Sequence, residues 1–185
     1  PLLGAYKYWK SKRAGFLRAI RFVKDERELG FAYLEKGMQS TLALRIAAAD
    51  QMAWILIDQG EPNKALKLTK ENLKIFSESR SLKWTYSHAL LALQNWNKAF
   101  DQLIILNQQY LKLLPVAEYN YLYTLKKILT VSLKIELSHK QRENLHTVIS
   151  DYEDWKVNGI LDAGSEAWIK NIETNLEKIR TNRAD

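Results

Sequence analysis

Two histidines, His139 and His146, are the side chains best suited to binding a metal ion, and they lie seven residues apart. On a helix this spacing places both imidazoles on one face. A zinc site needs three or four ligands, and the chain has no cysteine and no third histidine in this region. A solvated polar face is therefore the preferred interpretation, and we expect neither a metal nor another cofactor.

The acidic run Asp-Tyr-Glu-Asp at residues 151–154 is the other concentration of ionisable side chains. It falls near the end of a predicted helix, where negative charge is unfavourable. The run could bind a basic partner, but a solvated helix face is the preferred interpretation. Acid–base catalysis needs two carboxylates in one cleft with different surroundings, and the phosphate-loop, dinucleotide, nucleophile-elbow and zinc-helix motifs are missing from the sequence. We therefore predict that the protein is not an enzyme.

The positive charge of the chain is concentrated at one end. The net charge is +7, from 28 basic and 21 acidic residues. Residues 1–24 contain no acid, and the remaining residues hold 21 basic and 21 acidic side chains, so they are neutral. The charge therefore belongs to a basic arm, which consists of Lys7, Lys10, Lys12, Arg13, Arg18, Arg21 and Lys24.

Three interpretations of this basic arm remain open. Aromatic residues alternate with its first lysines, at Tyr6, Tyr8 and Trp9, and an apolar helical stripe follows them. Helices that lie on a membrane surface have this composition, and so do arms that bind nucleic acid. The preferred interpretation is a first helix that packs on its neighbour and keeps its charges in water.

Two features of the sequence bear on its compartment. The chain has no cysteine, which is compatible with a reducing environment. Its most apolar stretch is interrupted by Arg45 and Asp50, so it is a poor candidate for crossing a bilayer. We expect a cytoplasmic protein.

Apolar residues recur at spacings of three and four along the chain, and the alternation typical of strands is absent. The sequence therefore predicts an all-α fold of about nine helices. Pro62 suits a first helical turn, Gly37 and Gly60 suit helix ends, and Ser138 with Gln141 forms a capping box. The predicted helices cover residues 5–24, 26–36, 40–59, 62–77, 81–93, 96–114, 117–137, 139–157 and 165–181.

A short repeat joins the middle helices. Asn63-Lys64-Ala65 returns 34 residues later as Asn97-Lys98-Ala99, each time at a predicted helix start. Both copies have the plan of helix, short turn and helix. Their small, large and turn positions correspond: Ala53 with Ser87, Leu56 with Leu90, Gly60 with Gln94, and Ala65 with Ala99.

This pattern resembles the tetratricopeptide repeat, with its 34-residue helical hairpin. The two copies depart from the family in detail, because Gln94 replaces the turn glycine of the second copy and Pro62 replaces the turn aromatic of the first. The resemblance covers residues 46–114, and a degenerate third copy is expected at 116–157. Residues 14–36 could form a preceding pair.

The resemblance implies helix-turn-helix repeats stacked in a right-handed superhelix. The expected divisions are a basic N-terminal helical region at 1–45, repeats at 46–157, and a C-terminal capping helix and tail at 158–185. Members of the family bind a peptide or protein segment in a concave groove, lined by the first helix of each pair. The corresponding positions here are Asp50, Trp54, Asp58, Trp84, Thr85, His88, Asn120, Tyr121, Thr124 and Lys127.

Such a groove predicts a non-catalytic adaptor, scaffold or sensor. The family's clamp for a C-terminal carboxylate uses basic and amide side chains, whereas this groove would present indoles and acids. An apolar segment that carries Lys or Arg suits it better. Two alternatives stay open. Trp54 and Trp84 could instead be core residues, and the basic arm could bind nucleic acid or a membrane surface.

Overall fold

A computed structural model describes residues 1–14, 24–158 and 165–181, and these residues form helices joined by turns. The predicted all-α class is confirmed over this part of the chain, which contains nine α-helices. No helix within these ranges is long and apolar enough to cross a membrane. The helices are α1 Leu2–Arg13, α2 Arg27–Met38, α3 Leu42–Asp58, α4 Pro62–Leu73, α5 Arg80–Ala92, α6 Trp96–Leu111, α7 Glu118–Ser132, α8 His139–Asn158 and α9 Glu166–Thr181.

Most helix boundaries agree with the predicted ones to within a few residues. The main difference is at the first helix, which was expected at 5–24 but begins at Leu2 and ends at Arg13. The rest of that expected helix lies largely outside the described residues. Helices α4, α6 and α7 also end three to five residues earlier than expected, at Leu73, Leu111 and Ser132.

The chain divides into two compact units, residues 1–93 and 94–185. In the first unit each helix packs on the next one, and α3 also contacts α1 and α5. In the second unit α6 packs on α7 and α8, and α7 packs on α9. This sequential packing is consistent with an array of helical hairpins. The domain boundaries expected at residues 45 and 157 rest on the charge and repeat pattern of the sequence, and they stay a prediction.

Helices α1 and α2 pack closely through two glycines that the sequence analysis did not single out. A Cβ atom on Gly4 would lie 2.7 Å from the carbonyl oxygen of Gly30, and a Cβ on Gly30 equally close to that of Gly4. Only glycine allows two helix backbones to approach this closely. Residues 15–23 of the expected pair at 14–36 lie outside the described residues, so that pair stays a prediction.

Gly37 also has a packing role. It was expected to end a helix, but it is buried within α2, one residue before the last. A Cβ at this position would be 3.0 Å from the Cβ of Ala48 on α3. The small residue therefore keeps α2 close to α3.

Small residues also line the contact of α3, α4 and α5. Ala53, Ala65 and Ala89 are fully buried and form one cluster, against which Leu56 and Leu68 pack. Two of these alanines are positions at which the repeat alignment requires a small side chain. Ala99, the counterpart of Ala65, is fully buried in the second unit.

The turn that follows α3 has the geometry of a Schellman motif. Gly60 adopts a φ of 79°, in the left-handed region. Its N–H donates to the carbonyl of Ile57 at 3.1 Å, and the N–H of Glu61 donates to the carbonyl of Leu56 at 2.8 Å. These two bonds satisfy carbonyl groups that the end of the helix would otherwise leave unpaired.

The corresponding turn residue of the second copy adopts the same backbone region. Gln94 has a φ of 56° and follows α5, just as Gly60 follows α3. A side chain makes this conformation unfavourable, so a left-handed glutamine is uncommon. Within the described residues, the two left-handed positions are thus 34 residues apart.

The start of α8 confirms the predicted capping box. The N–H of Ser138 donates to Oε1 of Gln141 at 3.1 Å, and the N–H of Gln141 donates to Oγ of Ser138 at 3.3 Å. Nε2 of Gln141 also donates to Asp101 of α6 at 3.0 Å. The cap therefore both starts the helix and ties it to its neighbour.

Candidate functional site

Five of the predicted groove residues meet on the contacting helices α3 and α5 of the first unit. Asp50 and Trp54 are one turn apart on α3, so they share a face. Trp84, Thr85 and His88 lie on α5, which begins where Oγ of Ser79 accepts a hydrogen bond from the N–H of Leu82. We call the surface formed by Asp50, Trp54, Trp84 and His88 the α3–α5 surface, whereas Thr85 is fully buried and so is not available to a ligand in this conformation.

The imidazole of His88 lies between two indole rings. Its centroid is 4.8 Å from the Trp54 ring, at an interplanar angle of 50°, and 4.6 Å from the Trp84 ring, at 60°. Each of the three side chains is half-buried. Trp54 therefore packs against the neighbouring helix α5, and Trp84 packs against His88 of its own helix. Both keep part of their surface in solvent, which a fully buried core residue would not do.

A carboxylate lies one turn along α3 from this ring cluster. The hydroxyl of Thr85 donates to Oδ1 of Asp50 and lies 3.1 Å from the carbonyl oxygen of Ser81. Thr85 is fully buried, whereas Asp50 is partly exposed. Burial raises the pKa of Asp50, and the hydrogen bonds from Thr85 and Gln51 oppose that shift. The hydrogen bond from the buried Thr85 hydroxyl thus fixes the orientation of the Asp50 carboxylate.

Asp58 is the groove residue of the first unit that the structure places elsewhere. The hydroxyl of Tyr8 donates to its Oδ2 at 3.1 Å, and the ammonium of Lys12 forms an ion pair with its Oδ1. Both groups belong to α1, so Asp58 joins α3 to α1. Its predicted place among the ligand-contacting residues stays a prediction.

Two predicted groove residues of the second unit are in the core. Tyr121 and Thr124 are fully buried, and Nδ2 of Asn107 donates to the Tyr121 carbonyl at 3.0 Å and to Oγ1 of Thr124 at 3.1 Å. The Tyr121 hydroxyl is buried without a hydrogen-bond partner, and burial followed by the charge of Asp151 raises its pKa. Neither side chain is available to a ligand in this conformation.

The remaining two predicted positions, Asn120 and Lys127, lie on the outer side of α7. Asn120 is exposed, and Nζ of Lys127 is 5.4 Å from the centroid of the Tyr123 ring. Trp168 of α9 packs beside Tyr123, with centroids 5.2 Å apart. The contact of Tyr123 with Trp168 could not be foreseen from the sequence, because it joins α7 and α9, whose pairing no local pattern indicates.

The basic arm is partly neutralised within the protein. Lys7 forms an ion pair with Glu26, and Lys12 forms the pair with Asp58. Lys10 lies over the Tyr6 ring, with its ammonium 5.7 Å from the centroid. Lys24 is exposed, and Arg18 and Arg21 lie outside the described residues. The packing of α1 on α2 and α3 agrees with the preferred interpretation of this segment.

The two histidines and the acidic run, which are the candidate ligands for a metal ion or a basic partner, are dispersed in the structure. His139 and His146 are exposed, and Nδ1 of His139 is 3.5 Å from Glu143. Within the described ranges, no group of three or more His, Asp or Glu side chains is arranged to hold a metal ion.

The acidic run is likewise divided among different neighbours. Glu153 pairs with Arg180 at 2.7 Å, and the Tyr152 hydroxyl donates to Glu173 at 3.0 Å. Burial, and then repulsion by Asp154, raises the pKa of Asp151. The run therefore contributes largely to the contact between α8 and α9.

The α3–α5 surface combines apolar rings with one carboxylate. Half-buried rings supply apolar contact area, and a single carboxylate supplies a hydrogen-bond acceptor and a negative charge. Comparison of the chain with models of protein families, with curated proteins and with solved structures finds no match.

Proposed function

We propose that the chain is a non-catalytic module of the tetratricopeptide type, with hairpins stacked in a right-handed superhelix, and that it binds a segment of another protein. Three features support the family assignment: the sequential packing of helices within each unit, the buried alanines at repeat positions, and the left-handed turn residues 34 positions apart. In such an array the first helices of adjacent pairs, here α3 and α5, line the binding face.

The observation that carries the binding role is the ring cluster of Trp54, His88 and Trp84. Aromatic side chains that are half-buried and partly exposed dominate the energy of many protein interfaces. They already pack against each other, so little side-chain entropy remains to be lost when a ligand covers them. The α3–α5 surface is therefore suited to an extended or helical peptide.

The test is selection of a displayed random peptide library on the immobilised protein, followed by affinity measurements with the selected peptides. Trp84→Ala and His88→Ala are compared with Tyr86→Ala, which removes a half-buried ring from the same helix at a position two residues from each. We expect truncation of an interface anchor to cost about 2 kcal/mol of binding. The control should bind as the unmodified protein does.

Thermal melting separates this role from a core role. Truncating a core tryptophan costs roughly 3–5 kcal/mol of folding free energy. If Trp84→Ala melts far lower while its folded fraction binds peptides normally, the indole is a core residue and the binding site is on another face.

A second candidate function rests on the exposed side of α1. Leu2, Leu3 and Tyr6 are 85%, 53% and 59% exposed. Lys10 and Arg13 follow at helical spacing, and neither forms an ion pair within the described residues. Apolar side chains beside cations favour a membrane surface over nucleic acid. If α1 binds a membrane surface in this way, vesicles containing phosphatidylserine should remove the protein from the supernatant on sedimentation. Equal removal by vesicles of neutral lipid would exclude binding through these cations.

A further inference from the structure

We propose that the α3–α5 surface selects segments carrying a lysine or arginine, whose cation pairs with Asp50. This inference rests on the proposed function and adds the chemical class of its ligand. It concerns a single carboxylate, its supporting hydroxyl and the indole one turn away.

Asp50 is distinguished by what surrounds its charge. A carboxylate withdrawn from water is costly unless it is paired and hydrogen-bonded. Thr85 and Gln51 supply hydrogen bonds, but no described basic side chain forms an ion pair with Asp50, and no cation contributes to its pKa. The site therefore has an oriented hydrogen-bond acceptor, the Asp50 carboxylate, but it lacks a counter-charge.

Several other partly buried acids of the described chain do have such a counter-charge, although Asp151 resembles Asp50 in having a raised pKa and no ion pair within the described residues. Glu26 pairs with Lys7, Asp58 pairs with Lys12, and Glu173 pairs with Lys156 at 2.7 Å. Burial alone would raise the pKa of Glu173, but the hydrogen bonds from Lys156 and Tyr152 outweigh it, and its pKa is lowered. Asp50 shows the opposite shift.

The ring cluster fixes where the rest of the ligand would lie. Trp54 is four residues from Asp50, about 6 Å along the helix axis. The aliphatic stem of a lysine, or the guanidinium plane of an arginine, can pack along an indole while its charged end reaches the carboxylate. Apolar neighbours in the ligand would then cover His88 and Trp84. A basic residue within an apolar segment is thus the matching ligand.

The experiment uses the peptide library described above, selected in parallel on the unmodified protein, on Asp50→Asn and on Glu71→Gln. Glu71 is an exposed acid on α4, and its variant controls for the loss of one negative charge. We expect peptides selected on the unmodified protein and on Glu71→Gln to carry Lys or Arg at one fixed position. Asp50→Asn should remove this preference.

A second measurement does not depend on any protein variant. In a peptide selected on the unmodified protein, the basic residue is replaced by norleucine. We expect affinity to fall roughly tenfold to a hundredfold, the range for a hydrogen bond to a charged group. The same replacement should change affinity less than about twofold with Asp50→Asn, whose melting temperature is measured alongside.

Three results would overturn the inference in distinguishable ways. Peptides selected without any Lys or Arg preference would remove it and leave the proposed function standing. A preference that persists in Asp50→Asn would assign the cation to another acid. Failure to select any peptide, on folded protein, would remove the proposed function and this inference with it.

Discussion

Substitution of the two left-handed turn residues should change stability in opposite directions. Gly60 has a φ of 79°, and a Cβ built on it would meet no other atom within 4 Å. Any cost of Gly60→Ala therefore comes from the backbone and not from a clash. Left-handed backbone costs a residue with a side chain about 1–2 kcal/mol. Alanine recovers about 0.4–1 kcal/mol because its unfolded chain is less flexible than that of glycine.

The net expectation for Gly60→Ala is a loss of about 1 kcal/mol of folding free energy. Gln94→Gly reverses the same two contributions, since Gln94 carries the strain at a φ of 56° and its side chain is exposed. It should gain about 0.5–1 kcal/mol. In a chain of this size, 1 kcal/mol corresponds to a shift of about 2–4 °C in melting temperature.

Urea denaturation and thermal melting followed by far-ultraviolet circular dichroism provide the assay. Gln94→Ala is the matched control, because alanine keeps the strain of the left-handed residue and removes only the exposed side chain. It should leave stability unchanged. A stabilising Gly60→Ala, or a Gln94→Gly variant no more stable than Gln94→Ala, would show that the shared backbone conformation does not set the energy of these turns.

Three further predictions concern packing, a buried hydroxyl and pH. Ala65→Phe should overpack the contact of α3, α4 and α5 and cost about 1–3 kcal/mol in urea denaturation, whereas Phe at the exposed Ala92 should be tolerated. Tyr121→Phe removes a hydroxyl buried without a partner, so stability should be unchanged or higher by about 1 kcal/mol; Tyr8→Phe, which loses the bond to Asp58, should cost about 1 kcal/mol. The raised pKa of Asp50 means that the folded protein binds its proton more tightly than the unfolded chain does, so stability contributed by this group falls as pH rises from its ordinary 3.8 through the raised value. Asp50→Asn should remove that part of the pH dependence, and an unchanged pH profile of the urea midpoint would contradict it.

The helices could be predicted because their signals are local. Pro62 marks the first residue of α4, and the reciprocal hydrogen bonds of Ser138 and Gln141 lie where the sequence pattern placed them. The repeat offset also indicated that Gln94 occupies the position of a turn glycine. These features depend on a few neighbouring residues, so one sequence contains enough information to find them.

Contacts between distant residues could not be predicted in this way. Gly4 of α1 and Gly30 of α2 approach each other closely, and no sequence motif links these two helices. Asp58 was expected to face a ligand because nothing in the sequence indicated that Tyr8 and Lys12 would reach it. Pairing of this kind depends on how α1 crosses its neighbours, and that is a property of the assembled unit.

The errors in the second unit have a geometric cause. One residue corresponds to about 100° of rotation around a helix, so an alignment that is uncertain by one position mixes the faces of α7. Tyr121 and Thr124 belong to the buried face with Leu125 and Ile128. Asn120 and Lys127 belong to the outer face. The alanine shared by the first two copies, and the turn glycine of the first, are missing from the third.

The charges of the protein show why composition alone is a poor guide to its site. The basic arm dominates the net charge, yet Lys7 pairs with Glu26, which directly precedes α2, and Lys12 pairs with Asp58 of α3. Asp50 contributes one of 21 acidic residues and is invisible in the composition. The fold removes partners from some charges and supplies them to others, because each helix contact decides which side chains meet. A binding site depends on the charges that remain uncompensated after folding. In the first unit, Asp50 is such a charge, and it lies one helical turn from the ring cluster of Trp54, His88 and Trp84.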